Sequence, residues 1–307
     1  MASKKPQHID RYEVIRQLGE GGMGHVYLCF DPDLQRYVAI KVIRDAFANT
    51  SPSAAGTRNE YLSRFIREAL ATSQLQHPGI PPVYEVRQHL SGQIYYVMKA
   101  IEGVSLREIL DGLRAEDERF TQEYDLFRLI FILQGICQTV MYAHGHGFLH
   151  RDLKPSNVFV GNYGEVYVMD WGLTKALKSH PGTYSKQQNT SKETASPDET
   201  PTKIDGEPEE TLPLNDSTSE RNDNTWTVPG RAMGTVSYMA PEQATGSVEK
   251  LGLQADVYAL GAILYEMLTL TTPVEGQTDK ETVQKKLQGQ IVPCEEQAPE
   301  RNVPPEL

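Results

Sequence analysis

The 307-residue sequence predicts an α+β protein with two lobes, a small β-rich lobe with one main helix and a larger, mainly helical lobe. Residues 12–18, 25–30 and 36–43 read as strands and are separated by Gly-rich or Asp-Pro turns, which predicts an antiparallel start. Helical spacing dominates from residue 106 onward, notably over residues 126–144 and 255–269. Apolar residues make up 39% of the chain, enough for a sizeable core.

One helix and two short strands complete the predicted small lobe. Apolar residues recur at helical spacing over 58–75, and the sequence His-Pro-Gly that follows ends the helix. Residues 83–88 and 94–98 read as strands. The predicted organisation is an N-terminal tail (1–11), a small lobe (12–98), a hinge (99–103) and a large lobe (104–307).

Residues 178–224 differ sharply in composition from the rest of the chain. Only five of these 47 residues are apolar, and ten acidic residues stand against five basic ones. Such a segment cannot bury enough surface to offset its ordering entropy. We therefore predict a disordered, acidic, Ser/Thr-rich insertion within the large lobe.

Charge and cysteine content limit the classes of function. The net charge of −11 argues against a nucleic-acid or anionic-membrane surface. Cys29, Cys137 and Cys294 have neither disulfide-like nor zinc-like spacing, which indicates a reducing compartment. No run reaches 18 apolar residues and no signal peptide is evident. A cytoplasmic domain without a membrane segment is predicted, although a longer parent chain could add an anchor.

A glycine motif joins the first two strands. Residues 19–24 read G-E-G-G-M-G, with Val26 two positions later. A dinucleotide-binding fold would need a helix directly after the glycines, but the following residues alternate like a strand. Glycines let a backbone close over phosphate groups, whereas a plain Gly-rich turn is the alternative that the motif alone leaves open.

Lys41 lies inside an apolar strand, where an unpaired ammonium is costly. Glu68 sits on the apolar stripe of the helix that follows and could face this strand as its partner. The alternative is a surface lysine at a strand edge, with Arg67 and Glu68 on a solvated helix face.

The most specific motif is H-R-D-L-K-P-S-N over residues 150–157. It places Asp152 and Asn157 on one loop before a predicted hairpin, and Asp170 follows that hairpin in the sequence D-W-G. Because a hairpin returns the chain to its starting point, we expect Asn157 and Asp170 to lie side by side as oxygen ligands for Mg²⁺. Asp152 is then free to accept a hydroxyl proton.

Together these motifs resemble the Hanks-type protein kinases, in particular their bacterial branch and, within it, the PknD kinases. The resemblance covers residues 12 to about 275 and implies a bilobal kinase fold that transfers the γ-phosphoryl of ATP, with Mg²⁺, to protein Ser or Thr hydroxyls. Asp152 would be the base, with Lys41, Glu68 and Lys154 as further catalytic residues. The residues implied to surround ATP are Leu18, Gly19, Gly21, Gly24, Val26, Ala39, Lys41, Met98, Lys99, Ile101 and Phe159.

The resemblance also bears on substrate and regulation. Lys154 and the segment 234–242 resemble the peptide platform of Ser/Thr-directed members, although a plain Pro-terminated loop is the alternative. Arg151 resembles the arginine of kinases that are switched by phosphorylation, and Thr225 or Thr227 is the candidate phosphosite. Bacterial relatives form dimers through the small lobe, so a homodimer is an implied partner besides protein substrates.

Three features depart from the family pattern. Trp171 replaces the usual Phe and brings an N–H that needs a partner, and Lys99 stands where Glu is frequent. The large lobe is also expected to be incomplete, lacking the part that supplies an Arg partner for Glu242. The alternatives are therefore a pseudokinase or ATP-binding scaffold, an inactive fragment of a longer kinase, and a small-molecule kinase.

Overall fold

The computed structural model describes residues 7–21, 24–44, 55–89, 92–171, 175–176, 235–244, 252–301 and 303–304. The predicted insertion, both candidate phosphosites and Gly172 and Gly234 lie outside these residues. The strands are β1 (His8–Ile9), β2 (Tyr12–Glu20), β3 (Gly24–Asp31), β4 (Arg36–Ile43), β5 (Val83–Gln88), β6 (Ile94–Lys99), β7 (Gly103–Ser105), β8 (Phe148–Leu149), β9 (Val158–Gly161), β10 (Val166–Val168) and β11 (Lys175–Ala176). The helices are α1 (Ala55–Gln74), α2 (Leu106–Arg114), α3 (Glu118–Glu123), α4 (Leu126–Gly145), α5 (Pro241–Ala244), α6 (Leu253–Thr269), α7 (Asp279–Leu287) and α8 (Cys294–Gln297).

The small lobe is an antiparallel sheet with strand order β1-β2-β3-β4-β6-β5. The predicted three-stranded start is confirmed, and the glycine motif joins β2 to β3 as a hairpin. The prediction of a tail over residues 1–11 was wrong in part, since His8 and Ile9 pair with β2 and Ile9 is buried. A two-residue strand carries too little pattern to be recognised from sequence.

Helix α1 packs on one face of this sheet, close to the bounds predicted for it. Phe65 and Ala69 are buried against Ala39 of β4 and Met98 of β6. Alternate residues of β4, such as Ile40, point to the opposite face and form a second apolar cluster. The sheet therefore presents one face to α1 and keeps the side chains of β4 in fixed register beside it.

The large lobe is built around α4 and α6. Asp125 caps α4 by accepting a hydrogen bond from the Arg128 N–H at 2.7 Å, and Leu129, Ile132 and Ile136 are buried in the core. Among the described residues α4 alone is long and apolar enough to cross a bilayer by length and composition. Core helices meet the same criteria, and α4 packs directly against α6.

A short hairpin connects the core to the cleft between the lobes. Strands β9 and β10 pair with Val158 opposite Val168, and β7 joins the other edge of β9. The residues that flank this hairpin, Asn157 and Asp170, emerge from the same end, as the sequence predicts. The loop before the hairpin and the residues after it thereby meet beneath the small-lobe sheet.

Candidate active site

An ion pair links the sheet to α1. The Lys41 Nζ donates to Glu68 Oε1 at 2.5 Å, and the Tyr96 hydroxyl donates to the same oxygen at 2.5 Å. The side chain of Lys41 is only 15% exposed and that of Glu68 is 3% exposed, so the surface-lysine alternative does not hold. Arg67 instead turns outward and donates to the Ser63 carbonyl.

Electrostatics favour the charged form of Lys41. Burial alone would lower the pKa of this ammonium, but the adjacent Glu68 carboxylate and the nearby Asp170 raise the pKa well above its usual value. The Lys41 Nζ lies 4.0 Å from Asp170 Oδ1. A fixed cation therefore stands between a carboxylate of the small lobe and one of the large lobe.

Asp152 lies on the loop between β8 and a 3-10 turn at Pro155–Asn157. Its Oδ2 accepts a hydrogen bond from Lys154 Nζ at 2.8 Å, and its backbone N–H donates to His150 Nδ1 at 3.2 Å. The side chain of Asp152 is 14% exposed, so the carboxylate is accessible at the surface of the cleft. This geometry suits a group that accepts a proton from a bound hydroxyl.

Buried Asp256 of α6 fixes the backbone of this loop. Its two carboxylate oxygens accept the N–H groups of His150 at 2.8 Å and of Arg151 at 2.7 Å, and His144 contacts it at 2.8 Å. Burial opposes ionisation, but these hydrogen bonds outweigh it and lower the pKa of Asp256. Arg151 adopts a left-handed φ of 66°, a strained geometry that needs such support.

Asn157 and Asp170 flank the hairpin. The Asn157 Nδ2 donates to the Asp152 carbonyl at 2.8 Å, while the Asn157 carbonyl accepts the Met169 N–H at 2.7 Å. Asp170 follows with a left-handed φ of 63°. The predicted convergence of Asp152, Asn157 and Asp170 around one hairpin is present in the structure.

Trp171 has the partner that its N–H was expected to need. The indole Nε1 donates to the Val168 carbonyl at 3.0 Å, and the ring packs edge-on against His150 with centroids 4.7 Å apart. The side chain is fully buried. His150 in turn contacts the Met169 carbonyl at 2.9 Å, so one aromatic stack ties the loop before the hairpin to the residues after it.

The donor set at this end of the hairpin fits a hard divalent cation. The Asn157 Nδ2 is engaged, which leaves its amide oxygen, and Asp170 offers a carboxylate. In the part of the chain that the structure describes, no cluster of three or more His, Cys, Asp or Glu forms a metal cage. Mg²⁺ is commonly held by one or two protein oxygens together with phosphates, so two ligands suffice.

The residues expected around adenine are brought together only in part. Val26, Ala39 and Met98 belong to one apolar cluster, which also contacts Met169. Leu18 of β2 and Phe159 of β9 are not packed into that cluster. The Lys99 N–H donates to the Pro82 carbonyl at 3.1 Å, so only the Lys99 carbonyl could serve a ligand, and the Ile101 N–H bonds no other described backbone group.

The glycines of the β2–β3 hairpin differ in their surroundings. A Cβ on Gly24 would lie 2.2 Å from the Val42 carbonyl oxygen, so the sheet itself requires glycine there. A Cβ on Gly19 or Gly21 would meet nothing within 4 Å among the described residues. Packing within the protein therefore explains why residue 24 is glycine, but it does not explain the glycines at positions 19 and 21.

The segment at residues 235–244 forms a 3-10 turn at Thr235–Tyr238 and then α5. The Gln243 side chain accepts the Ala240 N–H at 3.1 Å and donates to the Arg151 carbonyl at 2.9 Å. The Tyr238 hydroxyl donates to buried Glu266 of α6 at 2.5 Å. This segment, hereafter the platform (residues 235–240), is thus tied to both the Asp152 loop and the core.

Sequence reasoning assigned no role to Asp256, Gln243, Glu266 or Lys286. A signal existed for two of them, because Asp256 and Glu266 are acidic residues inside an otherwise apolar helix and must find partners there. Gln243 and Lys286 lie on short or polar helices, where nothing in the pattern distinguishes a buried polar side chain from an exposed one.

Comparisons with known proteins agree with this geometry. The sequence matches the protein kinase domain family over residues 12–198 and 217–306. The serine/threonine-protein kinase PknD of Protochlamydia amoebophila is 36% identical over 277 residues, which cover 89% of this chain and 24% of that protein. PknD of Chlamydia pneumoniae is 35% identical over 304 residues, which cover 97% of this chain and 28% of that protein.

The chain spans about a quarter of the length of the curated relatives it matches. The predicted bilobal α+β fold and the resemblance to bacterial Hanks-type kinases are confirmed. The internal gap in the family match, residues 199–216, lies inside the predicted insertion. The sequence, the two lobes and the relatives agree that this chain belongs to the protein kinase family, in the bacterial Hanks-type branch of Ser/Thr kinases.

Proposed function

We propose that this domain transfers the γ-phosphoryl of Mg-ATP to Ser and Thr hydroxyls of proteins, including its own. The observation that carries the proposal is the ion pair of Lys41 and Glu68, with Asp170 4.0 Å from the lysine. A binding scaffold has no need to desolvate a lysine and align it with a carboxylate of the other lobe. Phosphoryl transfer needs such fixed charges, because its catalysis is mainly positioning and electrostatic stabilisation.

Lys41 and the glycine hairpin are proposed to bind the phosphates. Glu68 holds the ammonium of Lys41 in a single position, from which it can contact phosphate oxygens. Gly19 and Gly21 lack side chains although no described atom would obstruct a Cβ there, which supports a role in close approach to a ligand. Backbone N–H groups at such positions bind anions without a side-chain barrier.

Asp152 is proposed as the base and Lys154 as its electrostatic partner. Lys154 lies 2.8 Å from Asp152 Oδ2 and could also neutralise charge that develops on the transferred group. Asn157 and Asp170 are the proposed ligands of Mg²⁺. When bound, that ion would neutralise phosphate charge and orient the phosphates.

The adenine ring is proposed to lie between the lobes. Val26 and Ala39 would cover it from the small lobe together with Leu18, and Phe159 would support it from below. Met98 would limit the depth of the pocket, and the Lys99 carbonyl and the Ile101 N–H would bond the adenine edge. The Lys99 N–H already donates to the Pro82 carbonyl, which supports assigning the acceptor role to the Lys99 carbonyl and the donor role to the Ile101 N–H.

The partners of the domain are proposed to be proteins that present Ser or Thr on an extended segment to the platform. The link from Gln243 to the Arg151 carbonyl supports this, since it couples the platform to the Asp152 loop. A homodimer through the small lobe is proposed from the resemblance, and a cytoplasmic location of the domain is proposed from the spacing of the three cysteines.

Transfer of labelled phosphate from Mg-ATP, to the chain itself and to a basic protein, tests the assignment. We expect the Asp152→Asn variant to lose about 10²–10⁴-fold in rate, as is usual on removal of a general base, while nucleotide binding is retained. Equal rates for both proteins would contradict the role of Asp152. No transfer by either, with intact nucleotide binding, would favour the scaffold alternative.

Arg151 supports a regulatory extension of this proposal. Its Nε and Nη2 atoms are buried and have no hydrogen-bond partner among the described residues, and burial lowers the pKa of the guanidinium. A phosphate ester would supply the missing acceptors. Thr225 and Thr227, which lie outside the described residues, are the proposed sites whose hydroxyl groups accept the phosphoryl group from ATP and then carry this phosphate ester. Replacing both with Ala should abolish activation by autophosphorylation, and unchanged activation would refute the assignment.

A further inference from the structure

The platform is held from the outside by a lysine that no catalytic role explains. Lys286 of α7 donates from Nζ to the Ser237 carbonyl at 2.7 Å and to the Met239 carbonyl at 2.7 Å. The residue is only 5% exposed, and its ammonium lies 4.9 Å from the ring centroid of Tyr258 on α6. All of its identified contacts are thus backbone carbonyls and an aromatic face.

Burying the Lys286 ammonium costs more free energy than the packing of its side chain can recover. A buried ammonium normally has a carboxylate partner, because burying an unpaired charge is expensive. Among the described residues no acid lies within 4.0 Å of Lys286, although Lys285 beside it forms an ion pair with Glu281 at 3.0 Å. A methionine would fill the same space without the cost of desolvation. The charge must therefore serve the two carbonyls that it contacts.

Those carbonyls belong to the segment that determines the shape of the platform. Ser237 lies in the 3-10 turn and Met239 follows it, while Tyr238 between them is anchored to Glu266 on the other side. Two N–H donors from one side chain fix both peptide planes at once. The ammonium thus fixes the orientation of the platform backbone relative to α6 and α7.

From this geometry we infer that Lys286 is a positioning residue for the protein substrate, holding the platform in the shape that accepts a substrate segment. The inference rests on the proposed kinase function. It assigns Lys286 to substrate binding and not to ATP binding or to the chemical step. Its loss should therefore raise KM for the protein substrate while leaving KM for ATP and kcat unchanged.

The environment of Lys286 makes this action depend on pH. Burial lowers the pKa of Lys286 to about 7, so its charge is lost as the pH rises through neutrality. The elements packed around it and its own helix carry these titratable groups: Tyr238, Glu242, Asp256, Tyr258, Tyr265, Glu266, Asp279, Lys280, Glu281 and Lys285. Tyr238 is bonded to Glu266, Lys285 is paired with Glu281, and burial raises the pKa of Tyr258.

The test compares the chain with its Lys286→Met variant, which keeps the unbranched stem, and with Lys285→Met as a matched control. We expect Lys286→Met to raise KM for a basic protein substrate about tenfold, the effect of losing one charge-assisted contact pair. The KM for ATP and kcat should be unchanged, because the hydrogen bonds of Lys286 go to the platform carbonyls of Ser237 and Met239 and not to the Asp152 loop. Lys285→Met should resemble the wild type.

The pH profile supplies a readout that a purely structural role would not change. From about pH 6 to about pH 8.5 the KM of the wild type should rise toward that of Lys286→Met, because the ammonium is deprotonated in this range. An unchanged KM in Lys286→Met, or a gap between the two proteins that is the same at every pH, would overturn the inference. A fall in kcat of Lys286→Met as large as the rise in its KM would also overturn the inference.

Hydrogen exchange separates this inference from the proposed function. If the wild type transfers no phosphate, the kinase proposal fails, but amide exchange in residues 235–244 still reports on Lys286. Faster exchange there in Lys286→Met, with unchanged exchange in α4, would support the positioning role. Identical exchange in both proteins would refute it.

Discussion

Glu266 of α6 is the buried acid on which two arginines of α2 and the platform converge, and its removal should destabilise the large lobe strongly. Its carboxylate is 0% exposed and accepts hydrogen bonds from Arg107 and from Arg114 of α2, the latter at 3.0 Å. Tyr238 donates to it from the platform. The informative substitution is Glu266→Gln, which keeps the volume and removes the charge.

The expected magnitude follows from what the substitution leaves behind. Removing one partner of a buried pair costs about 3–5 kcal/mol of stability, because the remaining charge is left buried without compensation. Here the side chains of Arg107 and Arg114 are 31% and 43% exposed, so water can recover part of that loss. We therefore expect the lower end, about 3 kcal/mol, or a fall in melting temperature of roughly 6–12 °C for a domain of this size.

Urea unfolding followed by fluorescence and thermal unfolding provide the assay, and the chain offers a matched control. Asp111 contacts Arg107 and Arg114 at the surface, at 3.5 Å and 2.5 Å, and is itself 53% exposed. Asp111→Asn should therefore cost no more than about 0.5 kcal/mol. If the two variants lose similar stability, the convergence on Glu266 does not stabilise the lobe and the reasoning is refuted.

Three further predictions concern the backbone of the site. Asp256→Asn should lower stability by about 2 kcal/mol at neutral pH. The pKa of Asp256 is lowered on folding, so its contribution is present above the unfolded value of 3.8 and is lost as the pH falls below it. The difference in free energy of unfolding between the wild type and Asp256→Asn, measured in urea, should therefore shrink in acid. A difference that does not change with pH would contradict this. Gly24→Ala should cost about 1–3 kcal/mol, because its Cβ would meet the Val42 carbonyl. Gly21→Ala should leave the melting temperature unchanged and raise KM for ATP. If instead Gly21→Ala lowered the melting temperature and Gly24→Ala raised only KM for ATP, the assignment of Gly24 to the sheet and of Gly21 to ATP binding would be excluded.

Much of the small lobe follows from local patterns. Alternation along β3 and β4 and the turn residues between them are sufficient to predict the hairpins. The position of Glu68 follows from its place on the apolar stripe of α1, since a stripe residue must face the sheet. The convergence of Asn157 and Asp170 follows from the geometry of a two-stranded hairpin.

The remaining features depend on contacts between residues that are distant in sequence. Lys286 contacts the Ser237 carbonyl, and the polar sequence of α7 does not indicate which of its lysines is buried. The strand at His8–Ile9 exists only because β2 is there to pair with it. The left-handed backbone of Arg151 likewise requires Asp256, more than a hundred residues away.

The indole of Trp171 has a consequence for the ligands this domain should prefer. Displacing it from its position on His150 would expose roughly 200 Å² of aromatic surface, a cost of about 5 kcal/mol, and would break its hydrogen bond to Val168. Inhibitors whose affinity depends on expelling this side chain start with that deficit. Compounds that fit the cleft with Trp171 in its present position do not have to meet this cost. An inhibitor meant to bind this domain in preference to kinases with a smaller aromatic residue at this position should therefore be of that kind.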